Sequence, residues 1–244
     1  MVGKEFIEST KYQYIKTTGH SEKKLAPLIQ LPYNPEDMII NLPEPDFFDE
    51  QQVNFLEMIE LRTTIRHYSD KSMSLKDLSY LLWCTQGVKM VVEKGSLRNV
   101  PSAGARHAFE TYLLVNNVEG LEKGIYRFLA IEHKLLAIKV DESLLDEAIP
   151  AFLNQKTIAN AAVTFIWVAV AERMVWRFGE RGYRYLLLDA GHICQNLYLA
   201  GQNVNCGTCA IAAFDDDAVN RFLNLDREEL FVAYAATVGN YQIK

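Results

Sequence analysis

The chain has 244 residues, 49% of them hydrophobic, which is enough to bury a substantial core in one large domain or two small ones. Its formal net charge is -6, from 31 acidic against 25 basic residues, so no basic face is available to neutralise a run of phosphates, and nucleic acid is excluded as a first partner. The start "MVGKEFIESTKYQYIK" has no apolar stretch behind its charges, and the longest apolar run, Ala161 to Ala171, is too short to span a bilayer; no membrane partner and a cytoplasmic location are expected.

Residues 1–50 predict an extended, proline-rich N-terminal arm ahead of a domain over 51–244. Pro27, Pro32, Pro35, Pro43 and Pro45 are five of the seven prolines, and that stretch suits neither regular helix nor central strand. "EQQVNFLEMIELRT" then starts a helical pattern. Ser74, followed three residues on by Asp77, is an N-cap signature for a helix over "LKDLSYLLWCTQ" that stops at Gly87. "FETYLLVNN", "KGIYRFLA" and "HKLLAIKV" are short, rich in β-formers and separated by turn residues, which predicts an antiparallel meander. A helix over "DESLLDEAIPAFL" should kink or break at Pro150. "AAVTFIWVAVA" suits a strand buried on both faces. "YRYLLLDAGHICQNLYLAGQ" reads as a helix so apolar all round that it must bury itself in a core or against another subunit, with His192 as a satisfied interior histidine. "DDDAVNRFLNL" reads as a capped helix and "LFVAYAATVG" as a closing strand. The whole is an α+β domain.

Three stretches carry candidate chemistry. In "NCGTC", Cys206 and Cys209 form a C-x-x-C pair, but a structural zinc needs four ligands, and the five histidines are scattered singly, so no metal site is expected. A redox dithiol needs its first cysteine at a helix start, whereas this pair runs into strand-like "AIAAF". Two core-facing cysteines are the favoured reading over a zinc or dithiol site, with Cys84 and Cys194 also core filler in apolar helices. In "LRTTIRHYSD", Arg62 and Arg66 share a face if the preceding helix continues, with Thr63 and Thr64 offering hydroxyls and backbone donors between them; paired guanidiniums suit a phosphate monoester, against the plainer reading of a solvated face. In "RNVPSAGARHAFE", the small residues from Pro101 through Ser102, Ala103 and Gly104 let backbone come close to a flat ligand, or form a plain loop.

Taken in order, "LRTTIRHYSD", "LSYLLWCTQGV", "PSAGARHAFETYLLVNNVEGLEKGIYRF", "GERGYRYLLLDAGHICQNLYLAG", "AIAAFDDDAV" and "VAYAATVG" resemble the nitroreductase superfamily, and most of all its SagB-type dehydrogenase branch, from about Glu60 to Gly239. The resemblance implies a nitroreductase-like, FMN-dependent α+β fold with a central, mainly antiparallel sheet flanked by helices. It also implies a homodimer with FMN at the subunit interface. Arg62, Thr64 and Arg66 fall on the R-x-S-x-R/K motif for the ribityl chain and phosphate, with Thr63 between them. Pro101, Ser102, Ala103 and Gly104 fall on the PSAG loop, which in the family approaches the flavin from the partner chain. "AIAAF" matches x-I-G-G-F, so the Ala212 N–H is the expected donor to flavin N5, with Ala213 beside it. Basic residues after the last strand often complete the phosphate site in the family, and here Lys244 is the candidate.

Two departures shape the functional expectation. Members of the branch that oxidise azoline rings carry a Lys-Tyr pair for proton removal where this chain has Arg177 and Phe178, and an arginine is a poor base. At "NCGTC" the branch usually reads G-L-G-x-C, so Asn205 replaces a glycine and tolerates positive φ. The expected activity is ping-pong transfer of hydride from NADH or NADPH, through FMN, to a small-molecule acceptor such as a nitroaromatic, a quinone or another metabolite. A SagB-type dehydrogenase acting on a peptide or heterocycle is the alternative, and a flavin-binding protein with little turnover is a third.

Overall fold

The computed structural model describes residues 1–45, 54–93, 95–225, 228 and 230–241. The stretch before residue 46 is not purely extended. Helix α1 (Val2–Ser9) precedes all five of its prolines, which is why they do not prevent it, and the arm also contributes a short strand, β1 (Ile39–Asn41). The expected boundary between residues 50 and 51 lies outside the described residues.

Helix α2 (Phe55–Leu61) is capped by Asn54, whose side chain accepts from the Glu57 N–H. Helix α3 (Leu75–Gln86) is capped by Ser74, whose hydroxyl accepts from the Asp77 N–H at 3.0 Å, and it ends at Gly87. A two-stranded ribbon of β2 (Val88–Val92) and β3 (Gly95–Arg98) follows. Then come the meander strands β4 (Phe109–Val115), β5 (Gly124–Leu129) and β6 (Lys134–Val140). Helix α4 (Leu144–Ala151) stops one residue after Pro150, and α5 (Lys156–Asn160) leads to strand β7 (Val163–Val170). Helices α6 (Ala171–Phe178) and α7 (Arg181–Asn203), strand β8 (Cys206–Ile211), helix α8 (Asp216–Phe222) and strand β9 (Leu230–Asn240) complete the order. Asp215 caps α8 by accepting from the Ala218 N–H at 2.8 Å.

Seven strands form one sheet in the order β1-β6-β5-β4-β7-β9-β8, each neighbour antiparallel. Strand alternation divides β7 between two cores. Val163, Phe165 and Trp167 pack with Leu78, Leu82, Ile193 and Leu197 of α3 and α7, whereas Ile166 and Val168 pack with Leu144, Ala148 and Val219 of α4 and α8. Helices therefore cover both faces of the sheet, and every residue of β7 is buried. Truncating Phe165 to alanine in such a place costs about 3–5 kcal/mol.

The arm is fastened through its main chain. Arg173 Nε donates to Leu28 O at 2.6 Å, Arg98 Nη2 to Ile29 O at 3.3 Å, and Arg127 Nη2 to Leu31 O and Pro32 O at 3.1 and 3.0 Å. The Leu31 N–H donates to Glu110, which also pairs with Arg173. All three arginines are buried, and a buried guanidinium needs partners of this kind for each donor it turns inward. Among the described residues no helix is long and apolar enough to cross a membrane.

Candidate functional site

Helix α2 does not continue through the arginines. It ends at Leu61, and Arg62 has extended backbone, with φ −55 and ψ 115. The β-branched run Thr63, Thr64, Ile65 favours that conformation, and edge strand β8 rewards it: the Ile65 N–H donates to Thr208 O at 3.0 Å and Thr64 bridges Thr208 in parallel. Arg62 and Arg66 thus share no helical face. They share one side of an extended segment with Thr64, because side chains there repeat every two residues. Thr63 falls on the other side. Gly207 permits the pairing, since a Cβ on it would lie 2.5 Å from the Ile65 Cβ.

Tyr198, on α7, joins this segment to β8. Its hydroxyl accepts from the Ala210 N–H at 2.9 Å, lies 3.1 Å from Thr64 Oγ1, and its ring has the Arg62 guanidinium 5.4 Å from the centroid. On an edge strand of an antiparallel sheet, alternate residues turn both backbone groups away from the neighbouring strand. Thr208 and Ala210 are two such residues, with Ile65 and Tyr198 as their partners. One step past the strand's end, Ala212 is the next in that series, and it is exposed beside exposed Ala213, whose carbonyl takes a hydrogen bond from Gln155 at 2.6 Å. The chain thus gathers Arg62, Thr64 and Arg66 along the edge that ends in Ala212 and Ala213.

The cysteines of "NCGTC" serve the same edge. Asn205 has φ +53 and turns the chain into β8, while Cys206 and Cys209 are buried in that strand. Burial pushes the Cys206 thiol up to about 12 and raises that of Cys209 despite the nearby Arg66. A thiol held neutral is a poor nucleophile and a poor metal ligand. Among the described residues no group of three His, Cys, Asp or Glu is placed to hold a metal ion.

The loop of Pro101, Ser102, Ala103 and Gly104 is built elsewhere. The Ala103 N–H donates to Asp189 Oδ1 of α7 at 3.2 Å, and the His107 N–H donates to Ser102 Oγ at 2.9 Å. Asp189 is buried, and burial raises its carboxyl. Gly104 has φ +59, and a Cβ there would lie 2.8 Å from Arg177 Nε and 2.9 Å from Phe178 Cζ, so the position needs glycine on both counts. Asp189 and Tyr198 are nine residues apart on one helix, roughly 13 Å along its axis. Within a single chain, then, the loop is held away from the Arg62 segment.

Several expectations are corrected or left outside. His192 is exposed on the outer face of α7 rather than interior, because the helix turns Leu186, Asp189, Ile193 and Leu197 inward. That outer face also shows Leu187 and Leu188, 58% and 57% exposed, and α2, which packs against α7, exposes Phe55, Leu56 and Leu61. Lys244 lies outside the described residues. Sequence reasoning missed Tyr198 and Asp189; the one acidic residue amid "LLLDAGHI" was a usable signal for the second.

Comparison with known proteins gives a concordant result. The sequence model described as "Nitroreductase family" matches residues 59–240. A provisionally named nitroreductase of Methanocaldococcus jannaschii is 31% identical over 197 residues, 81% of this chain and 95% of that protein. The trifolitoxin-processing protein TfxB of Rhizobium leguminosarum bv. trifolii is 30% identical over 154 residues, 61% of this chain but 41% of its own length. The crystal structure of a provisionally named nitroreductase from Anabaena variabilis superposes with a TM-score of 0.73 at 26% identity, covering 92% of this chain and 46% of that one. The chain therefore spans less than half the length of the last two.

Proposed function

The chain belongs to the nitroreductase family and has its α+β fold, and on that premise we propose that it is a cytoplasmic, homodimeric FMN-dependent oxidoreductase passing hydride from NADH or NADPH to a small oxidised acceptor. The observation that carries the reading is the edge of β8, where Arg62, Thr64 and Arg66 line one side of a segment that points toward the exposed backbone of Ala212. This donor set fits FMN: forked guanidiniums match a phosphate, the Thr64 hydroxyl matches a polyol chain, and Ala212 and Ala213 leave room for a flat ring. Bound there, FMN would supply two-electron hydride chemistry between a nicotinamide and the acceptor.

The residues supply position and charge. Arg62 and Arg66 hold the phosphate end, and Tyr198 fixes Thr64 and Ala210 relative to each other. The Ala212 N–H would serve the reacting end of the ring as a donor that no pH in the working range can titrate away. The overall balance is NAD(P)H, a proton and the acceptor going to NAD(P)+ and the reduced acceptor; for a nitro group, this gives the nitroso compound and water. Dimerisation would bring the Pro101 to Gly104 loop of one chain to the flavin ring held by its partner and cover Leu187, Leu188 and the exposed apolar side chains of α2.

Purified protein is expected to be yellow and to lose that colour under anaerobic NADH or NADPH. Colourless protein that also fails to take up added FMN refutes the flavin reading, and yellow protein bleached by neither nicotinamide refutes the donor. Similarity to the trifolitoxin-processing protein supports a second reading, a dehydrogenase acting on a peptide or heterocycle. It would need a base other than Arg177 and Phe178.

A further inference from the structure

Arg177 is at the tip of the Pro101 to Gly104 loop. The missing side chain of Gly104 is what lets it approach, since a Cβ there would touch both its Nε and its Cδ. Its guanidinium lies 5.6 Å from the Phe178 ring centroid, and a second one, on Arg106, lies 5.3 Å from that of Trp176. Arg106 is anchored to the same loop, its Nε donating to Gly104 O at 3.1 Å. The two cations are near enough that Arg177, after burial, is a cause holding the Arg106 guanidinium below its usual range. Among the described residues no carboxylate forms an ion pair with half-buried Arg177.

Two like charges are thus gathered on one loop of a chain whose net charge is -6. An aromatic face under a guanidinium stabilises the cation while leaving its in-plane donors for another group. A guanidinium cannot serve as a base at ordinary pH, so what it brings to this place is charge and a forked set of donors.

We propose that Arg177 reads an anionic group on the oxidised acceptor, so that the acceptor belongs to the class of carboxylate- or phosphate-bearing small molecules. The inference rests on the oxidoreductase reading above, in which this loop borders the reaction site. Arg177 is then a specificity-determining residue, binding the acceptor's anion while Arg62 and Arg66 are engaged by the cofactor's phosphate.

The test compares 4-nitrobenzoate with 4-nitrobenzamide as acceptors for the flavin-loaded protein, wild type against Arg177→Gln and Arg177→Lys. Wild type should favour the benzoate in kcat/KM by about tenfold or more, the order expected of one charge-assisted hydrogen bond. Arg177→Gln should pull that ratio toward one, mainly through KM for the benzoate, and Arg177→Lys should restore part of it. Raised salt should shrink the wild-type ratio. A wild type without preference, or a preference that survives in Arg177→Gln, overturns the inference while turnover itself leaves the oxidoreductase reading standing. A defect of Arg177→Gln confined to anaerobic reduction by NADH or NADPH also overturns it, because Arg177 then serves the donor's phosphates. If wild type turns over neither acceptor although NADH or NADPH bleaches its flavin, the inference alone is overturned; if neither nicotinamide bleaches it, the oxidoreductase reading fails and takes the inference with it.

Discussion

The hydroxyl of Tyr198 is a single atom on which two parts of the proposed flavin site depend. Tyr198→Phe removes it and keeps the ring that lies beneath Arg62. The Ala210 N–H then loses its 2.9 Å partner and Thr64 Oγ1 its 3.1 Å partner. Ala210 is half-buried, so its amide is partly shielded from replacement water. An amide left unsatisfied in such a place costs about 1–3 kcal/mol, and at roughly 2–4 °C per kcal/mol for a chain of this size Tm should fall by about 2–12 °C. FMN affinity should fall by about tenfold or more, because Thr64 and the backbone leading to Ala212 lose their common anchor. Differential scanning calorimetry of the FMN-free protein gives the first number, and quenching of FMN fluorescence on titration gives the second. A variant that loses stability but binds FMN as tightly as wild type would refute the placement of the flavin along this edge. A variant unchanged in both would refute the claim that the hydroxyl joins the two elements.

Three other predictions reach different parts of the molecule. His107 is buried, and burial first, then the nearby Arg98 and Arg106, push its imidazole down to about 3. The unfolded chain therefore binds a proton below about pH 6.5 that the folded chain refuses, so stability is full above that pH and falls by up to about 1.4 kcal/mol per pH unit on acidification; urea melts of His107→Asn should show a flatter profile between pH 6.5 and 5. Leu187→Asp with Leu188→Asp places charge on the exposed face of α7 and should convert two chains per particle into one in sedimentation, with loss of bound FMN. Cys206→Ala with Cys209→Ala should keep the yellow cofactor and its bleaching, whereas loss of bleaching with FMN still bound would return the chemistry to sulfur.

Much of this fold could be read locally. Helix α3 announces itself through Ser74 and Asp77, and β4 to β7 through short runs of β-formers, because capping and strand alternation act over neighbouring residues. What could not be read depends on partners distant in sequence. The end of α2 is decided at Leu61 by the pairing of Thr64 with Thr208. The ribbon of β2 and β3 carries Met90, Val91 and Leu97 exposed and buries Gly95, Ser96 and Arg98, so its burial runs against the apolar pattern by which strands are recognised. Arg62, Thr64 and Arg66 stand out by their residue types, yet what sets them on one side is extended backbone rather than a helical turn. Tyr198 and Asp189 passed as members of an apolar helix, although each turns a polar group to a different half of the candidate site.

The fastening of the arm has a consequence for how its path is encoded. Arg98, Arg127 and Arg173 grip carbonyl oxygens of Leu28, Ile29, Leu31 and Pro32, and every amino acid has a carbonyl oxygen. Leu28, Ile29 and Pro32 can therefore change their side chains and still offer the same carbonyls, whereas Gln30, bonded to Glu132 and the Ile131 N–H, and buried Leu31, whose N–H Glu110 accepts, are held by more than their main chain. The route of the arm is thus written largely in four charged residues of the domain it crosses, with Gln30 and Leu31 as the arm's own share.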